Sequence, residues 1–386
     1  MNPCVAESLC RRSCLAHARV SACVYPVALV LAALAAQPVV ADQFCVSTPT
    51  QLQAALDLAG SNGEDDHIRV RVGTYTAVHP GFIYAPEAGE DHDIKISGGW
   101  MPYILGPCSL QDEQPWATIL DGNGSARIML LEVLPAGVDV RIERLVFLGG
   151  NFGSFSPAGL DIHYLEGATG DVTVERNVFL NNTSALAAGL GILGRGSTLA
   201  VVNNLFLLNQ ASSNLPAAYV VNSVGSEGTV VFTNNTVLGN ELGDTPSEDA
   251  SAVYLLSGRV LAANNNFWDN AGYDLYCGGT GNRRLFNNNH ESFRLTGTEL
   301  LMDNISVQPV YQGGLLNFTP VRGSPLVDAG TEPRGIDPGW YLADADLNGS
   351  TRKVGAHVDI GAYENETILD DGFEPQGPFG GEPMTE

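Results

Sequence analysis

The sequence predicts an all-β chain: a right-handed, single-stranded parallel β-helix with an N-terminal capping helix. Three observations predict it. A nine-residue pattern occurs four times, as Val174-Glu-Arg-Asn177-Val-Phe179-Leu-Asn-Asn182, Val201-Val-Asn-Asn204-Leu-Phe206-Leu-Leu-Asn209, Phe232-Thr-Asn-Asn235-Thr-Val237-Leu-Gly-Asn240 and Ala262-Ala-Asn-Asn265-Asn-Phe267-Trp-Asp-Asn270. Its first Asn recurs after 27, 31 and 30 residues, a period that marks stacked structural units. Each copy alternates apolar and polar residues, which is the strand period. A helix signal followed by strands precedes the repeats, as expected of a cap that shields the first rung.

The first 41 residues read as a secretory signal. Arg11, Arg12 and Arg19 form a basic segment, Val24 to Ala36 an apolar one, and Val39-Val40-Ala41 a small-residue cleavage site before Asp42. The cap follows. Thr48 is the expected N-cap, Pro49 suits the first turn, Gln51 completes a capping box and Gly60 ends the helix. Leu52, Ala55, Leu56 and Ala59 make its apolar stripe. Ile68, Val70 and Val72 alternate with Arg69 and Arg71 as a strand, and further strands are expected at 94–97, 117–120 and 138–146. Arg141 to Phe147 reads as a degenerate early copy of the repeat, and Arg284 to His290 as a late one. The expected organisation is thus a signal (1–41), a cap with first coils (42–125), helix repeats (126–330), a closing segment (331–364) and an acidic, disordered tail (365–386).

A second set of strands aligns with the first. Leu160, Leu190, Tyr219 and Val253 are expected in one interior column, and Ile162, Ile192, Val221 and Leu255 in the next. Phe179, Phe206, Val237 and Phe267 form a third. No rung buries its apolar face alone, whereas stacking makes one continuous core. Asn177, Asn204, Asn235 and Asn265 are expected to form a structural ladder at turns, where Asn tolerates left-handed backbone.

Charge and cysteines narrow the partners. The chain has 19 basic and 43 acidic residues, a formal charge of −24. That balance excludes nucleic acid, whose phosphates need clustered Lys and Arg. After signal removal no apolar run is long enough to span a bilayer, and a monomer is expected. Cys45, Cys108 and Cys277 then remain, in an oxidising compartment. Cys45 and Cys108, which flank the N-terminal region, are the expected pair; Cys277 is left as a buried, inert thiol.

With these residues in view, the chain resembles bacterial right-handed parallel β-helix proteins of the pectate-lyase-like (pectin-lyase-like) fold. The segment from Cys45 to Leu56 with Gly73-Thr-Tyr75 is similar to the cap of that group. Ser324-Pro325-Leu-Val-Asp328-Ala-Gly330, Asp344-Ala-Asp346-Leu-Asn348-Gly349 and Val358-Asp359-Ile-Gly-Ala-Tyr363-Glu364 are similar to the C-terminal signature of the choice-of-anchor Q group of exported β-helix proteins. Ile368 to Glu374 resembles short "DGFE" tails on exported proteins of some Gram-negative bacteria. These resemblances imply fold and export, to the medium or the cell surface; fold alone does not imply activity.

Chemistry was sought on neighbouring rungs. The expected outward columns read Asp161, Gly191, Val220, Tyr254 and His163, Leu193, Asn222, Leu256. Asp161 and His163 can share a face as an acid/base pair, but a glycoside hydrolase needs two carboxylates, and a solvated pair is the simpler expectation. Asp344, Asp346 and Asn348, with Asp359 nearby, place oxygens as calcium loops do, although Asx-turn bonding is the expected explanation. No other cofactor is indicated. Trp268, beside interior Phe267, should point outward as the best sugar platform among four scattered Trp residues. The expected role is that of an exported, non-catalytic surface protein, adhesin-like or scaffolding, that contacts a polysaccharide or another cell-envelope component. The alternative is a polysaccharide lyase or glycoside hydrolase centred on Asp161 and His163.

Overall fold

The computed structural model describes residues 42–365, apart from 104–105, 134–136, 154–155, 165–168, 197, 223–227, 244–247, 249, 314–315 and 334–339. The expected signal and almost all of the expected tail lie outside the described residues.

The chain is a right-handed parallel β-helix built from four sheets, numbered here in the order a coil visits them. In one coil Val172–Glu175 lies in sheet 1, Val178–Leu180 in sheet 2, Thr183–Ser184 in the small sheet 3 and Leu190–Gly194 in sheet 4. Thr198–Val202 then begins the next coil in sheet 1, paired in parallel with Val172–Glu175. Sheet 1 has eleven strands, sheet 2 seven, sheet 3 four and sheet 4 eight. The last strand of sheet 1 is Thr298–Met302, after which the described residues up to Asn365 form no further strand.

The cap forms as its signals require. The helix Pro49–Ala59 buries Leu52, Ala55, Leu56 and Ala59, and Thr48 Oγ1 accepts from Gln51 N. One detail differs: Gln51 Oε1 reaches past Thr48 to accept from the N–H of Ser47. The strand Asp66–Arg71 stops short of Val72, which is 38% exposed. Cys45 and Cys108 form a disulfide, and Cys277 is a free, buried thiol that burial pushes up to about 12.

The core follows the predicted Phe column in sheet 2. Phe147, Phe179, Phe206, Val237 and Phe267 are in register and fully buried. Ring centroids are 5.0 Å apart for Phe147 and Phe179 and 4.8 Å for Phe179 and Phe206. Where Val237 interrupts the stack, Phe232 from sheet 1 bridges Phe206 and Phe267 at 6.1 Å each.

Two Asn ladders close the corners. The N–H of Asn177 donates to Asn204 Oδ1, that of Asn204 to Asn235, Asn235 to Asn265, Asn265 to Asn288 and Asn288 to Asn304, all at 2.9–3.0 Å. A second ladder runs through Asn182, Asn209, Asn240 and Asn270. The left-handed residue is not the ladder Asn but the one before it: Arg176, Asn203, Asn234, Asn264 and Asn287 have φ of 49–56°. The tight turn thus falls to one residue, and its successor turns inward to satisfy buried backbone groups.

Sheet 4 corrects the alignment by one residue in a single coil. Leu190 pairs with Ala218 and Ile192 with Val220, which in turn pair with Val253 and Leu255. Ala218 and Val220, not Tyr219 and Val221, therefore face the core. A one-residue slip moves every side chain to the other face, so the outward column reads Leu130, Asp161, Gly191, Tyr219, Tyr254, Tyr276 and Arg294.

The closing segment lies along the outside of the solenoid. Trp340 and Ala343 pack on Ala200, Val231 and Leu261 of sheet 1; Leu347, Ala362 and Tyr363 pack on Val178, Leu205 and Leu238 of sheet 2. The left-handed Asn residues hold it: Asn203 Nδ2 donates to Ala345 O, Asn264 Nδ2 to Thr331 O and Asn287 Nδ2 to Ala329 O. These corner side chains point outward because their neighbours in the ladders point inward.

Candidate functional site on the outer face of sheet 4

The outer face of sheet 4 carries two arrangements in one column. The first is the predicted pair. Asp161 and His163 alternate along the strand Leu160–Tyr164 and share its outer face. His163 Nε2 lies 2.6 Å from Asp161 Oδ1. A third member, Arg127, donates from Nη1 to Asp161 Oδ2 at 3.0 Å, and its guanidinium lies 4.6 Å from the centre of the Phe152 ring. The expected solvated pair is not what forms, because Asp161 is fully buried. Pro157 closes over the next rung, where Gly191 leaves it room: a Cβ at 191 would lie 2.2 Å from Pro157 Cγ. The hydrogen bond to Asp161 raises the His163 pKa above its ordinary value, against the opposing effect of burial. Asp161 is sealed between the Arg127 guanidinium and the His163 ring, while Glu132, the partner of His163 in the preceding rung, adds its charge on the same face. The arrangement suits an internal brace under the face.

The second arrangement was hidden by the slip in register. Tyr219, Tyr254 and Tyr276 occupy successive rungs of the same outward column. Tyr219 and Tyr254 stack with centroids 5.6 Å apart and planes at 17°; Tyr254 and Tyr276 meet edge to face at 5.1 Å. The Arg294 guanidinium lies 5.3 Å from the centre of the Tyr276 ring and 5.7 Å from that of Tyr273. All three stripe tyrosines are half-buried. Burial raises the pKa of Tyr219 and of Tyr254, so both keep their phenolic protons at neutral pH. Beside the stripe runs an apolar column of Leu193, Val221 and Leu256, with Leu193 37% exposed. Gly278 ends that column, and a Cβ there would lie 2.5 Å from the Tyr254 hydroxyl. The face offers a row of phenol rings with centres 5.1–5.6 Å apart, rimmed by their hydroxyls and ended by one guanidinium.

A signal for the stripe existed in the sequence. Tyr254 and Tyr276 both follow an aliphatic residue that faces inward, as Val253 and Leu275 do. The third coil is ambiguous because Val220 and Val221 are adjacent, so alternation alone fits either register.

The other candidates sit elsewhere. Trp268 points outward from sheet 2 as expected, but it packs in the apolar layer with Leu238 and Tyr363 and does not stand free. Asp346 Oδ1 accepts from Asn348 N and Ser350 N at 2.9 Å each, and its Oδ2 from Glu364 N. Asp359 accepts from Asp328 N and Asn365 N. Asp344 is exposed. These oxygens are turned onto the backbone of the closing segment, and among the described residues no group of three His, Cys, Asp or Glu converges on one point.

No family model matches the chain, and no curated protein matches it. Among solved structures it is similar to one titled as the crystal structure of pectate lyase Pel9A, at 12% identity and a TM-score of 0.35 over 85% of this chain and 97% of that one. So distant an overlap bears on neither activity nor site, and the fold rests on the strand pairing described above. No helix among the described residues is long and apolar enough to cross a membrane.

Proposed function

We propose that this is an exported, non-catalytic surface protein that holds an extended glycan along the outer face of sheet 4. The observation that carries the reading is the stripe Tyr219, Tyr254 and Tyr276 with Arg294 at its end. The exposed edges of these phenols offer apolar surface to sugar rings, and their hydroxyls can bond to the sugar hydroxyls. A solenoid repeats such a platform along its axis, which suits a polymer. The signal-like N-terminus and the resemblance of 324–364 to the choice-of-anchor Q signature support export and surface attachment. The burial of Asp161 favours binding over cleavage.

The test is affinity electrophoresis of the protein in gels containing neutral and acidic polysaccharides, with assays for new reducing or unsaturated ends, with and without calcium. Retention by at least one polysaccharide, weakened about tenfold in Tyr254→Ala and without product release, is expected. Retention by none would overturn the reading in favour of a bare stalk. Products that disappear in Asp161→Asn would overturn it in favour of a lyase or hydrolase.

A further inference from the structure

The two ends of the solenoid are finished differently. At the N-terminal end the helix Pro49–Ala59 buries Leu52, Ala55, Leu56 and Ala59 against the core. At the C-terminal end Thr298–Met302 is the outermost strand of sheet 1 and Phe293–Leu295 that of sheet 4. No strand or helix follows Met302 among the described residues, and the closing segment packs along the flanks of sheets 1 and 2.

The core columns therefore run out into an opening. Leu301 continues the column of Ala262 and Leu285, which are fully buried, yet is itself 48% exposed. Phe293 and Leu295 continue the columns of the fully buried Leu275 and Cys277 and are only half-buried. These three line a cavity of about 610 Å³. The edge beside it carries unused backbone groups. Thr298 N–H donates to Gly281 O, and Met302 O accepts from Asn287 N, so the backbone of Thr298, Leu300 and Met302 faces the preceding rung. Alternate residues of a parallel ladder face alternate neighbours, which turns the N–H and C=O of Glu299 and Leu301 toward the open side. A free edge beside apolar surface is a ready template for another strand.

Charge selects the occupant. Glu291, Glu299 and Asp303 also line the cavity, and no Lys or Arg is among its described lining residues. The ring of His290 stacks on Phe293 with centroids 3.5 Å apart, and burial holds its pKa at about 4, so it adds no positive charge at neutral pH. A second copy would bring the same acids to the same rim. The residues after Asn365 carry six acids and no Lys or Arg. Both meet like charge here, whereas a basic partner meets its complement.

We propose that the open end binds an extended segment of another polypeptide, a short apolar run flanked by Lys or Arg, which pairs with the outer edge of Thr298–Met302 as one more rung. Its apolar side chains enter the cavity beside Leu301, Phe293 and Leu295. Its cations meet Glu299 and Asp303, which stand on either side of Leu301 in the chain. The lining includes neither the stripe tyrosines nor Arg294, so this reading and the glycan reading stand or fall separately.

The probe is a labelled synthetic peptide, a Val run flanked by Lys, titrated with the full chain and followed by fluorescence anisotropy. A peptide with the same run flanked by Glu serves beside it. Saturable binding of the Lys-flanked peptide alone is expected, weakened about tenfold in Leu301→Asp. That substitution adds negative charge to the rim, so a merely non-specific attraction of cations would persist or grow. It changes a half-exposed side chain, so the melting temperature should stay near that of the native chain. Amide hydrogen exchange at Glu299 and Leu301 should slow about tenfold on binding, because their N–H groups pair only then. The inference is overturned if the Lys-flanked peptide does not bind, which would leave the end to the chain's own residues. Equal binding of the Glu-flanked peptide, unchanged binding by Leu301→Asp, or unaltered exchange at Glu299 and Leu301 would also overturn it. Sedimentation showing a dimer that Leu301→Asp dissociates would overturn it in favour of a second copy.

Discussion

Replacing Asn204 by Ala tests the ladder where it is most enclosed. Asn204 Oδ1 accepts from the N–H of Asn177 at 2.9 Å, and its Nδ2 donates to Val174 O and Val202 O at 2.9 and 3.0 Å and to Asn235 Oδ1 at 3.1 Å. Truncation takes away these four contacts and a fifth, from Asn177 Nδ2 to Asn204 Oδ1 at 3.2 Å. Asn235 Oδ1 keeps the bond from the Asn204 backbone, and Asn177 Nδ2 keeps Ile142 O and Glu175 O. The N–H of Asn177 and the carbonyl of Val174 lose these partners, each at about 1–3 kcal/mol inside a fully buried corner. The small cavity adds to this, so the expected loss is roughly 3–5 kcal/mol. Asn304 ends the same ladder and is only half-buried, so water can replace its amide; Asn304→Ala should cost about 1 kcal/mol. Urea unfolding followed by circular dichroism gives both values. Equal losses for the two variants would refute the claim that ladder bonds matter through the burial of what they satisfy.

Two more predictions follow from the N-terminal coils. The disulfide closes a separation of 63 residues, so Cys45→Ala with Cys108→Ala should lower stability by roughly 4 kcal/mol on the chain-entropy model; an unchanged urea midpoint would count against that model here. Glu143 is buried on sheet 1. Burial would raise its carboxyl, but the hydrogen bond and charge of Lys95, then Arg144 and Arg141, hold it at about 2 against an ordinary 4.5. A depressed carboxylate adds stability that is complete above its unfolded pKa and lost as pH falls through the folded one. Stability should therefore drop by roughly 3 kcal/mol between about pH 5 and 2, and Glu143→Gln should flatten that slope; parallel pH curves for the two proteins would contradict it.

The sequence was readable wherever a repeat coincided with one kind of residue. Both Asn ladders and the Phe column recur at fixed offsets within each nine-residue copy, so periodicity reveals them. The register of sheet 4 was harder because the loops before it vary in length: Asn182 precedes Leu190 by far fewer residues than Asn240 precedes Val253. In the coil with Val220 next to Val221, nothing local fixes the count, and the tyrosine stripe stayed hidden on the wrong side. The packing of 331–364 was not readable at all. Its bonds join residues 142 and 126 apart, Asn203 to Ala345 and Ala362 to Thr236, and no repeat marks them.

The closing segment is synthesised after every coil of the solenoid. Until it arrives, Ala200, Val231 and Leu261 on one sheet and Val178 and Leu205 on another have a completed solenoid behind them and only water in front. A nascent or prematurely terminated chain can thus wind all its coils and still expose two greasy flanks, the kind of surface on which chaperones and proteases act. Docking of residues 340–363 removes that surface in one step. The strap therefore works as a seal: only a chain extended past residue 363 covers these two flanks.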